Sequence, residues 1–357
     1  MVARRAGAPA ESLTVEVRKR TEYSERREKR MGDGGARRRR QLAAGAILGL
    51  AALVAGGCRR APQRVIAVIP KGTSNPYWQS VHAGAAAAAR HFGYRIWWNG
   101  PPQETDYSQQ ADIVEDAISR GVVGIVLAPA QRDALAPPVR RAAAAGIPVS
   151  IMDSGIALPA SSYVSYVASN NVIGGRMDAD YLAQLLHGAG DIAIVGVAPG
   201  SVSTMEREQG FEDEIKAKYP RLHVVEFRYG MADVARSRAA ADDILAAHPH
   251  LAGLFASNES STLGLILALR AHGLAGKIPL VGFDTDPDLV RALAAHELSA
   301  LVVQDPYQIG YQGVAVLAQK LAGQKPPARL DTALHLVTPQ NMSAPGMQAV
   351  LNPPVFH

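Results

Sequence analysis

Cysteine occurs once in the 357 residues, as Cys58. A lone thiol cannot close a disulfide within the chain, so stability must come from apolar packing. Apolar residues make up 48% of the sequence, enough for that. Catalytic signatures are missing as well: there is no G-x-S-x-G, no H-E-x-x-H and no P-loop. The pair His248-Pro-His250 has no second pair of ligands nearby and reads as a helix end and a strand start. No catalytic residue, metal or cofactor is therefore expected. A strong charge is lacking too, despite the formal net charge of +5. Residues 1–57 hold thirteen Lys or Arg and six Asp or Glu; taking these from totals of 37 and 32 leaves 24 basic and 26 acidic groups. The body of the protein is close to neutral, which argues against nucleic acid or an anionic surface as its partner.

What is present begins with residues 31–58, MGDGGARRRRQLAAGAILGLAALVAGGC. Four arginines precede an apolar run over 42–54, and small residues lead to Cys58. A basic start, an apolar middle and a small-residue end are the parts of a secretory signal. The run falls short of the ~20 residues that span a bilayer, which weakens the alternative of a transmembrane anchor. Small residues followed by cysteine resemble the lipobox of bacterial lipoproteins. The resemblance implies a lipid on Cys58, a membrane anchor through it, and a periplasmic or cell-surface location. Ala55 stands where that family prefers Leu. Residues 1–30 are highly charged and precede Met31, which is read as the true start; otherwise they form a disordered tail. Residues 58–64 are then a lipidated linker.

From residue 65 onward, short runs rich in Val, Ile and Leu alternate with stretches of helical spacing. Strands are expected at 65–69, 94–98, 124–128, 148–151, 191–197, 223–227, 251–256, 279–283 and 299–303. Helices are expected at 79–92, 107–120, 134–145, 174–186, 206–219, 233–248, 261–272, 287–296 and 307–322. Strands apolar on both faces belong to parallel sheets covered by helices. The repeated β-α order predicts an α/β, doubly wound architecture. The series breaks near 161–171. So many strands suit two sheets better than one, each carrying ligand-contacting loops at the carboxyl ends of its strands. A cleft between two such lobes is a natural small-molecule site.

The loops after the strands carry Lys71-Gly-Thr-Ser-Asn75-Pro-Tyr77-Trp78, Asp153-Ser154-Gly155, Ser257-Asn258-Glu259-Ser260, Asp284-Thr285-Asp286-Pro287 and Gln304-Asp305-Pro306-Tyr307. The helix expected at 206–219 opens with Glu206-Arg207-Glu208-Gln209-Gly210-Phe211. This ordered set resembles the periplasmic sugar-binding proteins of the ribose and galactose type, which serve ABC importers. The resemblance covers about residues 65–342. It implies two lobes, 65–168 with 305–333 and 169–304 with 334–345, and a tail at 346–357. Hinge segments would lie near 168–170, 304–305 and 332–334. It also implies a monomer, an ABC permease as partner, and a carbohydrate-like ligand.

Carried over residue by residue, the implied pocket comprises Asn75, Tyr77, Trp78, Asp153, Arg207, Asn258, Asp284 and Gln304. Carboxylates accept hydroxyl hydrogens, Arg and Asn donate to hydroxyl oxygens, and aromatic rings cover the C–H face of a sugar. Four positions depart from the ribose pattern. Ser154 replaces an Arg, Ala128 an Asn and Ala232 a Phe, while Lys71 replaces a small polar residue. Lys71 and Ser154 are therefore expected to set ligand preference, and ribose itself is not implied. A larger or differently charged polyol, a sugar acid or a modified sugar fits these changes. Blander readings stand beside these: Asp284 as a helix N-cap, Arg207 as an exposed helix charge, Lys71 as a solvated loop lysine, and Trp97 and Trp98 as core. A sensory receptor for a membrane kinase or chemoreceptor is the alternative function. A lactose-type repressor domain would need a helix-turn-helix where the signal stands.

Overall fold

The computed structural model describes residues 64–356 together with Arg26. Apart from Arg26, the leader expected over 1–57, the start at Met31 and the lipid site expected at Cys58 lie outside the described residues, as does the linker before Arg64. Two sheets carry the architecture. The first holds β1 (Val65–Ile69), β2 (Arg95–Trp98), β3 (Gly124–Leu127), β4 (Val149–Met152), β5 (Tyr166–Ser169) and β11 (Arg329–Thr332). Its order is β11-β5-β4-β3-β1-β2, with every neighbouring pair parallel. The second holds β6 (Ala189–Gly196), β7 (Arg221–Tyr229), β8 (Gly253–Ala256), β9 (Leu280–Phe283), β10 (Ala300–Gln304) and β12 (Leu334–Val337). Its order is β12-β10-β9-β8-β6-β7, parallel except that β12 runs antiparallel to β10.

The apolar runs of the central strands have a direct cause: each sheet is buried on both faces. Along β1, Ala67 and Ile69 pack into one apolar cluster while Ile66 and Val68 pack into another. The second sheet divides its side chains the same way, with Val195 and Leu254 on one face and Ile194 and Phe255 on the other. Helices α1 (Pro76–Phe92), α2 (Tyr107–Ser119), α3 (Ala136–Ala144) and α9 (Pro306–Leu321) cover the first sheet. Helices α4 (Asn171–Leu185), α5 (Val202–Lys218), α6 (Val234–Ala247), α7 (Glu259–Ala271), α8 (Pro287–Ala294) and α10 (Pro345–Leu351) belong with the second. We call each sheet with its helices a lobe. The chain passes between the sheets after β5, after β10 and between β11 and β12.

In each lobe glycine lets helices meet backbone to backbone. A Cβ on Gly84 of α1 would overlap the Tyr307 carbonyl of α9, and one on Gly310 would overlap Val81. In the second lobe, Gly175 of α4 lies against the Arg207 carbonyl of α5, and Gly210 against Val172. These crossings fix the amino ends of α1 and α5, where Tyr77 and Arg207 sit.

The expected strands all form, with boundaries shifted by a few residues. Strands β11 and β12 were not expected, and β5 forms near 161–171, where the expected series breaks. The 346–357 segment, expected as a tail, instead contributes α10, whose Leu351 is 3% exposed in the second-lobe core. Residues 352–356 then cross to the first lobe. The Phe356 amide donates to the Gln79 carbonyl at 3.1 Å. The Phe356 ring stacks on His82 at 3.7 Å, and His82 stacks on Trp98 at 4.3 Å. Burial in that sandwich pulls the His82 pKa down to about 4.

Candidate functional site

The carboxyl ends of the strands in both sheets face one cleft. Lys71 follows β1, Asp153 follows β4, Asn258 follows β8, Asp284 follows β9, and Gln304 ends β10. Both aspartates adopt left-handed backbone, with φ of 62° at Asp153 and 66° at Asp284. Such conformations are costly for residues other than glycine, although Asp tolerates them better than most, and they cluster at functional sites.

In the first lobe, Asn75 caps α1, with Oδ1 accepting from the Trp78 amide at 3.4 Å, and Pro76 starts the helix. The helix start therefore aims Tyr77 and Trp78 at the cleft. The Tyr77 hydroxyl donates to Asp153 Oδ1 at 2.7 Å. Burial, then Asp153 and Asp284, push the Tyr77 hydroxyl well above its usual range, so it stays a donor. Lys71 is 3% exposed, with Nζ 2.8 Å from Asp153 Oδ2. It also donates across the cleft to Ser203 Oγ at 2.8 Å. The solvated-lysine reading of Lys71 is thus wrong.

In the second lobe, Arg207 is 2% exposed rather than a surface charge. Its Nε donates to Asn171 Oδ1 at 2.9 Å and its Nη1 to the Ser257 carbonyl at 3.0 Å. Nη1 lies 3.5 Å from Asp284 Oδ2, and the guanidinium sits 3.8 Å over the Phe283 ring. Gln304 Nε2 donates to Asp284 Oδ1 at 2.7 Å, while its buried Oε1 meets no donor. Burial pushes the Asp284 carboxyl up, against the downward pull of Arg207 and Gln304. Asp284 does not cap the next helix; Asp286 does, accepting from the Leu289 amide. Asn258 does cap one, with Oδ1 accepting from the Ser261 amide at 2.9 Å.

Nine of the ten expected binding residues border this cleft: Lys71, Asn75, Tyr77, Trp78, Asp153, Arg207, Asn258, Asp284 and Gln304. Ser154 does not. It is fully buried, and its Oγ accepts from the Ser203 amide of the opposite lobe at 3.2 Å. Trp97 and Trp98 pack against the first-lobe core, as their place on a strand implies. Glu104, Ser203, Thr204 and Glu259 border the cleft unforeseen. Glu104 Oε1 accepts from Trp78 Nε1 at 2.8 Å and from Asn75 Nδ2 at 3.2 Å. The cleft is drawn in to about 20 Å³, room for about one water. A sugar ring enters only if the lobes part or Lys71 withdraws. A larger space of about 450 Å³ adjoins it, sharing Tyr77, Asp284 and Gln304. Its remaining wall includes Pro76, Val290, Val303, Pro306 and Leu351, so the groups suited to hydroxyls converge on the smaller cleft instead. No cluster of metal-ligating side chains occurs among the described residues.

Residues 66–325 match the family described as periplasmic binding protein domain. The ribose import binding protein of Salmonella typhimurium is 32% identical over 280 residues, covering 77% of this chain and 90% of that protein. A carbohydrate transporter solute-binding protein of Agrobacterium radiobacter, solved with D-arabinose, superposes with a TM-score of 0.79 at 35% identity, covering 82% of this chain and all of the other. An ABC transporter solute-binding protein of Agrobacterium vitis, solved with D-fucose, gives 0.78 at 36% identity, covering 81% of this chain and all of the other.

Proposed function

Since the chain belongs to the periplasmic binding protein domain family, we propose that it captures a sugar-like solute between its two lobes and delivers it to the permease of an ABC importer. The observation that carries this reading is the convergence of Asp153, Arg207, Asp284 and Gln304 on one cleft beside Tyr77 and Trp78. Charged acceptors and donors at strand ends, with aromatic rings beside them, suit a ring crowded with hydroxyls. The similar proteins are solute-binding proteins of sugar transport, not enzymes. A sugar acid is disfavoured, because Lys71 is already neutralised by Asp153.

The ligand-binding roles of Lys71, Asn75, Tyr77, Trp78, Asp153, Arg207, Asn258, Asp284 and Gln304 belong to this proposal. Ser154 acts through its contact with Ser203 rather than by touching ligand. The lobes, 65–168 with 305–333 and 169–304 with 334–345, open and close about their three crossings. The tightness of the cleft supports such a motion. A monomer held outside the cytoplasmic membrane by a lipid on Cys58 completes the reading.

Thermal-shift screening of the full-length protein against sugars and polyols tests it. A ligand at 100 times its Kd adds ~2.7 kcal/mol to stability. Small-angle scattering with and without a tight ligand should show a smaller radius of gyration in the complex. An unchanged radius at saturation rules out hinge closure. For the anchor, fatty-acid labelling must vanish in Cys58→Ser; persistent label removes that assignment.

A further inference from the structure

The charges around the cleft do not balance. Glu104, Asp153, Glu259 and Asp284 bring four carboxyls, against the two cations Lys71 and Arg207. Both cations are taken, Lys71 by Asp153 at 2.8 Å and Arg207 by Asp284 at 3.5 Å. Glu104 and Glu259 form no ion pair among the described residues. Glu104 Oε1 receives the Trp78 and Asn75 side chains, both neutral donors.

Glu259 is the sharper case. It is 6% exposed, borders the cleft, and its Oε2 meets no donor. Burial, then Asp284, Asp286 and Glu104, push its carboxyl well above the usual carboxylate range. An ordinary structural role accounts for part of this. Glu259 lies in the first turn of α7, where the helix dipole favours a negative charge. The Tyr77 amide, near the start of α1, also pulls its pKa down. These explain why a carboxylate is tolerated there. They do not supply a partner for Oε2, and leaving a buried carboxylate oxygen without one is costly. A neutral hydroxyl would satisfy the oxygen and leave the carboxyl held protonated by its neighbours, whereas a cation would let it ionise.

We propose that the solute carries a protonated amine beside its hydroxyls, as an amino sugar or aminated polyol does, and that Glu259 with Glu104 receives the ammonium. The proposal rests on the sugar-binding reading and narrows it. A desolvated ammonium with two carboxylates makes charge-assisted hydrogen bonds, the strong kind. Discrimination between an ammonium and the hydroxyl it replaces is then a difference of at least tenfold in Kd.

Calorimetry on the full-length protein tests this with matched pairs: D-glucosamine, D-galactosamine and D-mannosamine against D-glucose, D-galactose and D-mannose. The N-acetyl forms, which keep the nitrogen and lose its charge, complete the set. At least one amino sugar should bind tenfold or more tightly than both its neutral partners. Glu259→Gln should collapse that ratio. Glu104→Gln should reduce it in turn, which keeps the test open if Glu259→Gln fails to fold. Equal or tighter binding of the neutral sugars overturns the ammonium site and leaves sugar binding standing. A ratio that survives in the folded Gln variants places the ammonium elsewhere and overturns the assignment. Binding by no member overturns the ammonium site, and the wider screen of sugars and polyols decides the sugar-binding reading by itself.

Discussion

Arg207→Met should expose how much of the second lobe is organised around one guanidinium. Burial raises the carboxyls of Asp178, Glu206, Glu208 and Asp284, and Arg207 pulls each of them back down. Removing it has two consequences of different kinds. Asn171 and the Ser257 carbonyl lose their donor, which costs about 1 kcal/mol each at any pH. Asp284 also becomes a buried charge without its partner, a change that costs ~3–5 kcal/mol when one member of a buried pair is removed. The second cost applies only while the carboxyls are ionised. Without Arg207 their folded-state pKa values move further above the unfolded ones, so stability is lost as pH rises through that window. The expected loss is therefore about 2 kcal/mol near pH 5, from the hydrogen bonds alone. It grows to about 5–7 kcal/mol at pH 7.5, where the ~3–5 kcal/mol of the unpaired buried charge is added. A stability reserve of ~5–15 kcal/mol leaves the variant folded near pH 5 and takes up most of the loss at pH 7.5. Urea unfolding at the two pH values measures both figures. An equal loss at both, or less than about 1 kcal/mol at pH 7.5, refutes the idea that Arg207 balances buried carboxylates.

Glu208 is held up to about 7 by burial, against the pull of Ser257 and the Val197 amide. Its contribution is fully present below the unfolded value near 4.5 and is lost as pH rises through 7, about 3 kcal/mol in all. Glu208→Gln should remove that decline, and an unaltered slope in urea melts between pH 5 and 8 argues against it. Gly84→Ala should part α1 from α9, costing ~1–3 kcal/mol and weakening ligand binding through the displaced Tyr77. A full-strength Kd in that folded variant would separate the crossing from the site. Lys71→Ser should shift preference towards a ribose-like sugar while the lobes still fold. Unchanged selectivity in calorimetry would confine Lys71 to holding Asp153 and Ser203.

The alternation of apolar runs and helical spacing located the central strands because those strands are buried on both faces. Strands β11 and β12 escaped because they sit at sheet edges, where Arg329 and Asp331 are exposed and the apolar signal fades. The site was legible wherever a residue belonged to a strand-end motif, as with Asp153 and Asp284. It was illegible where the chain's path decides. Ser203 looked like loop because the charged run Glu206–Arg207–Glu208 suggested a later helix start, whereas α5 begins at Val202. Glu104 lies in an irregular loop with no periodic cue, and only the folded chain brings it to Trp78. Ser154 was misplaced for a local reason. The left-handed Asp153 closes a three-residue turn, with the Ser154 amide donating to the Met152 carbonyl. In that turn Asp153 borders the cleft while Ser154 is buried against the Ser203 amide.

The interleaving of the lobes also sets an order of events during synthesis. Ser169 Oγ and Thr332 Oγ1 lie 3.0 Å apart although 163 residues separate them in the chain. Strand β11 covers the edge of β5, and α9 covers α1, so the first lobe waits for segments made after nearly all of the second. Contacts this distant in sequence fold slowly. A nascent chain stopped before residue 306 would present the bare edge of β5 and the uncovered apolar face of α1. Unpaired edges and uncovered faces are where chains aggregate. Truncation within the second lobe should therefore spoil the first lobe's solubility, even though every residue of β1 to β5 is intact.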